Sequence, residues 1–92
     1  MEKIGEIIKD VLADENLQEP FVRATLKENW EEIAGELMAA HLQMVSYEKG
    51  RLVLVAEDPG WSHQAELMKE DLKSKINDFY DKKVVKKIRI KN

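Results

Sequence analysis

The sequence contains no cysteine, only 4 glycines and 2 prolines, and no apolar run near the roughly 20 residues that a membrane-spanning helix needs. The absence of cysteine excludes disulfides, thiolate metal sites and cysteine nucleophiles. The start, MEKIGEIIKD, carries acids and lacks the continuous apolar centre of a signal peptide. With 92 residues and 43% hydrophobic content, the chain is expected to fold as one domain over 1–92. We expect a cytoplasmic protein without membrane contact.

Charge is unevenly distributed along the chain. The formal net charge is only −3, but residues 1–48 hold 4 basic and 11 acidic residues, a net of −7. Residues 49–92 hold 11 basic and 7 acidic residues, a net of +4. This split predicts either two oppositely charged faces for two partners, or two halves that neutralise each other in the fold.

Apolar spacing predicts two helices in the first half of the chain. An N-terminal amphipathic helix over about residues 3–15 is expected to dock on its own domain or on a partner. A second helix is expected to begin near Pro20 and to continue through Gly35, with another element close to that glycine. The apolar face of this second helix consists of Leu26, Trp30, Ile33, Leu37, Met38 and His41.

Asp58-Pro59-Gly60 predicts the start of a third helix, with Asp58 as its N-cap. The buried face of this helix consists of Trp61, Ala65, Met68, Leu72, Ile76 and Phe79. On its exposed face each lysine has an acid three or four residues away, in the pairs Glu66/Lys69, Glu70/Lys73 and Asp71/Lys75. We therefore expect a solvated, self-paired surface there and not a ligand site.

The hydrophobic period changes to two after Ala40. This predicts a β-hairpin with strands over 42–48 and 51–57, followed by a terminal strand over 84–91. A helix between the second and third strands implies that those strands run parallel. The predicted fold is α+β, of order ααββαβ, with a three-stranded mixed sheet and helices packed on it. Because the outer face of the sheet is half apolar, we expect the first helix or another subunit to cover that face.

Few residues are candidates for chemistry. His41 and His63 are the only histidines, the residue type most used for acid–base chemistry, and no nucleophile–base pair, phosphate-binding loop or metal-ligand spacing accompanies them. We therefore expect a protein that is not an enzyme and that has no cofactor, no metal site and no catalytic residue.

The aromatic residues suggest two different roles. Trp30 and Trp61 lie within apolar helix faces, which predicts a core aromatic pair. Tyr47 on the hairpin and Tyr80 at the end of the third helix are better candidates for stacking on a nucleic-acid base.

A series of short motifs over about residues 26–90 resembles the DciA-like family. In chain order they are Trp30-Glu-Glu-Ile33-Ala-Gly35, Leu37, His41, Gly50-Arg-Leu52-Val-Leu54-Val, Trp61, Leu72, Ile76-Asn77 and Ile88-Arg89. The resemblance implies a fold similar to type II KH domains and a role in bacterial chromosome replication. There, DciA proteins bind the replicative helicase and assist its loading onto single-stranded DNA.

The chain departs from the family pattern in three respects. Ala65 stands where leucine is favoured, and the extension that family members commonly carry is expected to be absent. No GxxG loop of the kind that clamps the backbone in nucleic-acid-binding KH domains is present. DNA contacts are therefore expected from basic side chains.

The first functional hypothesis is a DNA-associated adaptor that contacts phosphates through basic side chains, weakly and in a salt-dependent way. The candidate residues are Lys82, Lys83, Lys86, Lys87, Arg89 and Lys91, together with Lys49 and Arg51 on the hairpin.

The second hypothesis is a protein-interaction module without nucleic-acid contact. A partner such as the replicative helicase would meet an acidic surface formed by Glu28, Glu31, Glu32 and Glu36. Alternatively, the outer sheet face would form a homodimer. A third interpretation is that the terminal lysines only solvate a strand and protect its edge.

Overall fold

The computed structural model describes residues 12–91, apart from the side chain of Glu15. The predicted N-terminal helix over about residues 3–15 lies outside the described residues except for its end. There, Leu12 is helical and buried. Within residues 12–91, no helix is long and apolar enough to cross a membrane.

Seven complete elements follow in the order helix, helix, helix, strand, strand, helix, strand. They are α1 (Glu15–Glu28), α2 (Trp30–Ala34), α3 (Glu36–His41), β1 (Leu42–Glu48), β2 (Arg51–Ala56), α4 (Pro59–Tyr80) and β3 (Lys87–Lys91). The strands form one sheet in the order β1-β2-β3, in which β1 and β2 are antiparallel and β2 and β3 are parallel. The predicted α+β class and mixed three-stranded sheet are confirmed. The similarity to type II KH domains stays a prediction.

The hairpin forms as predicted, and the third strand is parallel to β2 as predicted. The predicted start of this strand at residue 84 is wrong, because pairing with β2 begins only at Lys87, where it lies opposite Arg51. Lys49 and Gly50 make the turn with positive φ angles of 50° and 80°, the conformation that a tight two-residue hairpin turn requires. Leu52, Leu54 and Ala56 are buried in the core, on the face of the sheet that the helices cover. The alternate residues of β2 lie on the opposite, outer face and are exposed or half-buried.

The predicted start of α4 is also confirmed. Asp58 is the N-cap, and its Oδ1 atom accepts a hydrogen bond of 2.9 Å from the Trp61 backbone N–H, while Pro59 is the first helical residue. The predicted lysine–acid pairs of this helix form at 3.0, 2.9 and 3.5 Å. Ala65 is fully buried, so the smaller side chain at this family position is part of the core.

The predicted start of the second helix near Pro20 is wrong. Helix α1 begins at Glu15, because the Asp14 side chain caps it by accepting a 2.9 Å hydrogen bond from the Asn16 N–H. Pro20 lies inside the helix. At that position its missing N–H removes one backbone hydrogen bond close to the helix start.

The predicted continuous helix to His41 is broken at Asn29 and again at Gly35. Gly35 has φ 94° and ψ 152°, a conformation that L side chains rarely adopt. The prediction of a close neighbour at Gly35 is wrong, because a Cβ atom there would meet nothing within 4 Å. Since the break redirects the chain, Leu37 in α3 is 66% exposed and not buried as its spacing predicted.

Candidate nucleic-acid interface

Four lysines line an open groove between the start of α1, the hairpin turn and the segment that precedes β3. The groove has a volume of about 560 Å³, and its lysines are Lys49, Lys82, Lys83 and Lys86. Its lining includes one acid, Glu19. We call it the lysine groove.

Helix α1 holds the hairpin turn at the rim of this groove. The Lys49 backbone N–H donates a hydrogen bond of 2.6 Å to Glu19 Oε1, and Arg23 Nη2 donates one of 3.1 Å to Glu19 Oε2. The Arg23 guanidinium also donates to the Tyr47 carbonyl, with its Nη2 at 2.9 Å and its Nε at 3.2 Å. These bonds fix the backbone of Lys49 in its left-handed conformation.

The lysine-rich segment before β3 is attached to the same turn. The backbone N–H groups of Lys86 and Lys87 both donate to the Gly50 carbonyl, at 2.7 and 3.2 Å. The Lys86 side chain packs over Gly50, where a Cβ atom would lie 3.1 Å from its Cγ and Cδ. Lys82 Nζ donates a 2.6 Å hydrogen bond to the Leu12 carbonyl. The two halves of the groove are therefore joined by backbone hydrogen bonds.

Four more basic residues lie on the outer face of the sheet. The parallel register places Arg51 opposite Lys87, Val53 opposite Arg89, and Val55 opposite Lys91. On the hairpin side, a shallow depression of about 400 Å³ is lined by Ser46, Glu48, Lys49, Arg51 and Val53.

Lys49 lines both the groove and this depression, so the two regions are continuous. All eight basic residues predicted from the sequence therefore lie on one connected area, which we call the basic surface. It consists of Lys49, Arg51, Lys82, Lys83, Lys86, Lys87, Arg89 and Lys91.

The charges of the basic surface are unlike those of α4. Each of its eight side chains is exposed, and within residues 12–91 none forms an ion pair with an acid. In contrast, Lys69, Lys73 and Lys75 of α4 are each paired with an acid of the same helix. A polyanion would thus meet the basic surface without first displacing a described carboxylate.

The candidate acidic residues lie elsewhere. Glu28, Glu31, Glu32 and Glu36 are all exposed, at the end of α1 and along α2 and α3. Glu28 lies nine residues after Glu19, which is about 14 Å along the axis of α1. None of these four acids lines the lysine groove, and the exposed Leu37 lies among them in the chain.

Both tyrosine candidates for base stacking are wrong. Tyr47 is 1% exposed and donates a 2.5 Å hydrogen bond to the Val84 carbonyl. A β-bulge between Met44 and Ser46 shifts the alternation of β1 and turns Tyr47 inward. Tyr80 is fully buried beside Thr25 Oγ1, at 2.6 Å, and burial raises the pKa of Tyr80 to about 12.

The tryptophans are placed differently from the predicted pair. Trp30 is buried, and its Nε1 donates a 2.9 Å hydrogen bond to the Leu42 carbonyl. Trp61 is half-buried and stacks on His41, with ring centroids 4.2 Å apart and planes 8° apart. His41 Nδ1 also lies 2.5 Å from Glu57 Oε2. Within residues 12–91, no group of three or more His, Asp or Glu side chains is placed to hold a metal ion.

The family described as Dna[CI] antecedent, DciA matches residues 3–90. The chain belongs to the DciA family. The match covers nearly the whole sequence and extends beyond the 26–90 region that the sequence motifs mark. Membership associates this DciA family member with DNA replication and with loading of the replicative helicase, at the level of the family. DciA is a family of loaders and adaptors and not a known enzyme family. No curated protein matches the chain.

Proposed function

We propose that this DciA family member is a non-enzymatic replication adaptor that binds single-stranded DNA on its basic surface and the replicative helicase on its acidic side. The acidic side consists of Glu28, Glu31, Glu32 and Glu36. The observation that supports DNA binding is the placement of eight exposed cations on one connected surface. Family membership supports the replication context.

Binding through these residues is expected to be weak and to depend on salt. Lysines, which form most of the surface, act as point charges that contact phosphates and do not read bases. Non-specific contacts of this kind have dissociation constants of about 10⁻⁴–10⁻⁶ M at physiological salt. For single strands, each phosphate contact contributes about −0.7 to the slope of log K against log salt concentration.

We assign the helicase contact to the exposed acids of α2 and α3, which do not line the lysine groove. Glu31, Glu32 and Glu36 are exposed on α2 and α3, and Leu37, which follows Glu36 in the chain, is 66% exposed. An exposed leucine among acids suits a basic partner segment with an apolar face. Self-association through the outer sheet face is disfavoured, because it would bring like charges together across the interface.

Fluorescence anisotropy with a labelled single-stranded oligonucleotide at 50 and 200 mM salt tests DNA binding. The double variant Lys82→Gln/Lys83→Gln is expected to bind more weakly, with a salt slope smaller by about 1.4 if both lysines contact phosphates. The control is Lys73→Gln/Lys75→Gln, which removes the same charge from the paired lysines of α4. Absence of wild-type binding at 50 mM salt, or equal losses in the two variants, contradicts the proposal.

A pull-down with the replicative helicase tests the acidic side. Glu31→Lys/Glu32→Lys is expected to lose the helicase while keeping its affinity for the oligonucleotide. If this variant retains helicase binding at the wild-type level, the helicase does not bind the acidic side. Light scattering of the wild-type protein checks that its mass corresponds to one chain.

A further inference from the structure

The outer face of the sheet combines cations with an apolar strip. Val53 and Val55 of β2 are half-buried and lie between β1 and the basic side chains of β3. Glu48 is the one acid among the residues that line the depression on this face. The sequence predicted that the first helix or another subunit would cover this outer face.

We propose that the bases of a bound single strand lie on Val53 and Val55 while its phosphates follow the cations of β3. This inference rests on the proposed binding of single-stranded DNA. It specifies where the bases and the phosphates of the bound strand lie on the sheet. One part of the bound strand then has its phosphates in the lysine groove. The nucleotides that follow this part lie on the outer face of the sheet.

The register of β2 and β3 supports this arrangement. Lys87, Arg89 and Lys91 alternate along β3 and therefore repeat at about 6.6 Å on the outer face. Val53 and Val55 repeat at the same spacing on the neighbouring strand, because Val53 pairs with Arg89 and Val55 pairs with Lys91. Each cation of β3 thus has an apolar contact position beside it, about one strand spacing away.

Charge and continuity favour a nucleic acid over a second copy of the chain. Arg51, Lys87, Arg89 and Lys91 outnumber Glu48 on this face, so two such faces would repel each other. Lys49 joins the face to the lysine groove, which gives a polyanion one uninterrupted path. The planar guanidinium groups of Arg51 and Arg89 can also stack on bases, whereas lysine cannot.

The test uses the double variant Val53→Thr/Val55→Thr and two probes of equal length. Threonine keeps the β-branched shape and adds a hydroxyl, so the strand is preserved while the apolar contact is weakened. One probe is oligothymidylate, and the other is an abasic strand with the same number of phosphates. Leu67→Gln on α4 is the control, because Leu67 is 69% exposed on a helix that packs against the other face.

The variant is expected to bind oligothymidylate several-fold more weakly than the wild type, with the same salt slope and with unchanged affinity for the abasic strand. The control variant is expected to match the wild type on both probes. Unchanged binding of oligothymidylate, or equal weakening on both probes, overturns the inference. A wild-type dimer that the variant converts to a monomer overturns it too and assigns the face to an interface between copies. If the wild type binds neither probe at 50 mM salt, the proposed function itself fails.

Discussion

Replacing Glu19 by glutamine tests whether the lysine groove receives phosphate. Glu19 is the acid in the groove lining, and its two oxygens accept hydrogen bonds from the Lys49 N–H and from Arg23. A glutamine side chain can still accept a hydrogen bond from Lys49, but it carries no charge. The variant therefore removes repulsion toward a bound phosphate and gives up the acceptor for Arg23, while the hydrogen bond from Lys49 and the bonds from Arg23 to the Tyr47 carbonyl still support the hairpin turn.

The size of this repulsion follows from Coulomb's law. A carboxylate about 7 Å from a phosphate charge costs about 0.6 kcal/mol in a water-like dielectric, a factor of roughly three in affinity. Salt screens the interaction, because the Debye length falls to about 10 Å at 0.1 M ionic strength. Screening at 50 mM salt, where the Debye length is about 14 Å, leaves somewhat more than half of this energy. We therefore expect Glu19→Gln to bind a single-stranded oligonucleotide about twofold more tightly than the wild type at 50 mM salt, and the gain to shrink further at 200 mM.

Fluorescence anisotropy measures the change, and Glu28→Gln is the matched control. Glu28 is an exposed acid on the same helix, about 14 Å farther along its axis, so screening removes most of its effect. The reasoning is refuted if Glu19→Gln binds no more tightly than Glu28→Gln. A weaker-binding Glu19→Gln variant with an intact urea unfolding transition refutes it as well.

Three further predictions concern the stability of the fold. Because burial raises the pKa of Tyr80 from 10.0 to about 12, the stability that comes from its protonated form is complete below pH 10 and is lost toward pH 12. Relative to Tyr80→Phe, the free energy of unfolding of the wild type should fall by about 2 kcal/mol over that window in urea titrations; parallel pH profiles would contradict this. Asp58→Ala removes the cap of α4 and should cost about 1 kcal/mol in chemical denaturation, an expectation that an unchanged midpoint would exclude. Gly50→Ala should cost about 1–2 kcal/mol in the same assay, because φ is 80° and the new Cβ would lie 3.1 Å from the Lys86 side chain; a stability equal to wild type would refute this.

Local chemistry determines the elements that the sequence predicts correctly. The alternation of Leu52, Leu54 and Ala56 defines the buried face of β2, and Lys49-Gly50 supplies the residues that a tight hairpin turn favours. Asp58 caps α4 through its own side chain. Each of these signals acts over a few neighbouring residues, so the pattern in the sequence survives in the fold.

The predictions that fail depend on local backbone features that hydrophobic spacing does not indicate. One extra residue in β1 turns Tyr47 inward, and a single positive φ at Gly35 places Leu37 in solvent. Tyr80 did carry a signal, because it lies four residues after the buried Ile76 on the same helix face. The start of α1 could likewise have been found from Asp14, a strong N-cap residue.

The basic residues were identifiable from the sequence, but their position together on one surface was not. Lys49 and Lys86 are far apart in the chain, and they meet because backbone hydrogen bonds to Gly50 join the hairpin turn to the segment before β3. The separation of the acids from the lysine groove likewise depends on the length and direction of α1. Net charge along the sequence predicted two signs, and in the fold Glu28, Glu31, Glu32 and Glu36 lie outside the lining of the basic surface, whereas Glu19 and Glu48 lie within it.

Titration of isotope-labelled protein with a single-stranded oligonucleotide, followed by amide NMR, tests the central proposal most directly. We predict that the largest shift changes fall on Lys49, Arg51 and residues 82–91, with smaller changes on Val53 and Val55, and that they decrease as salt rises. Shift changes concentrated on residues 28–37, or none at 50 mM salt, would contradict the assignment of the basic surface to DNA.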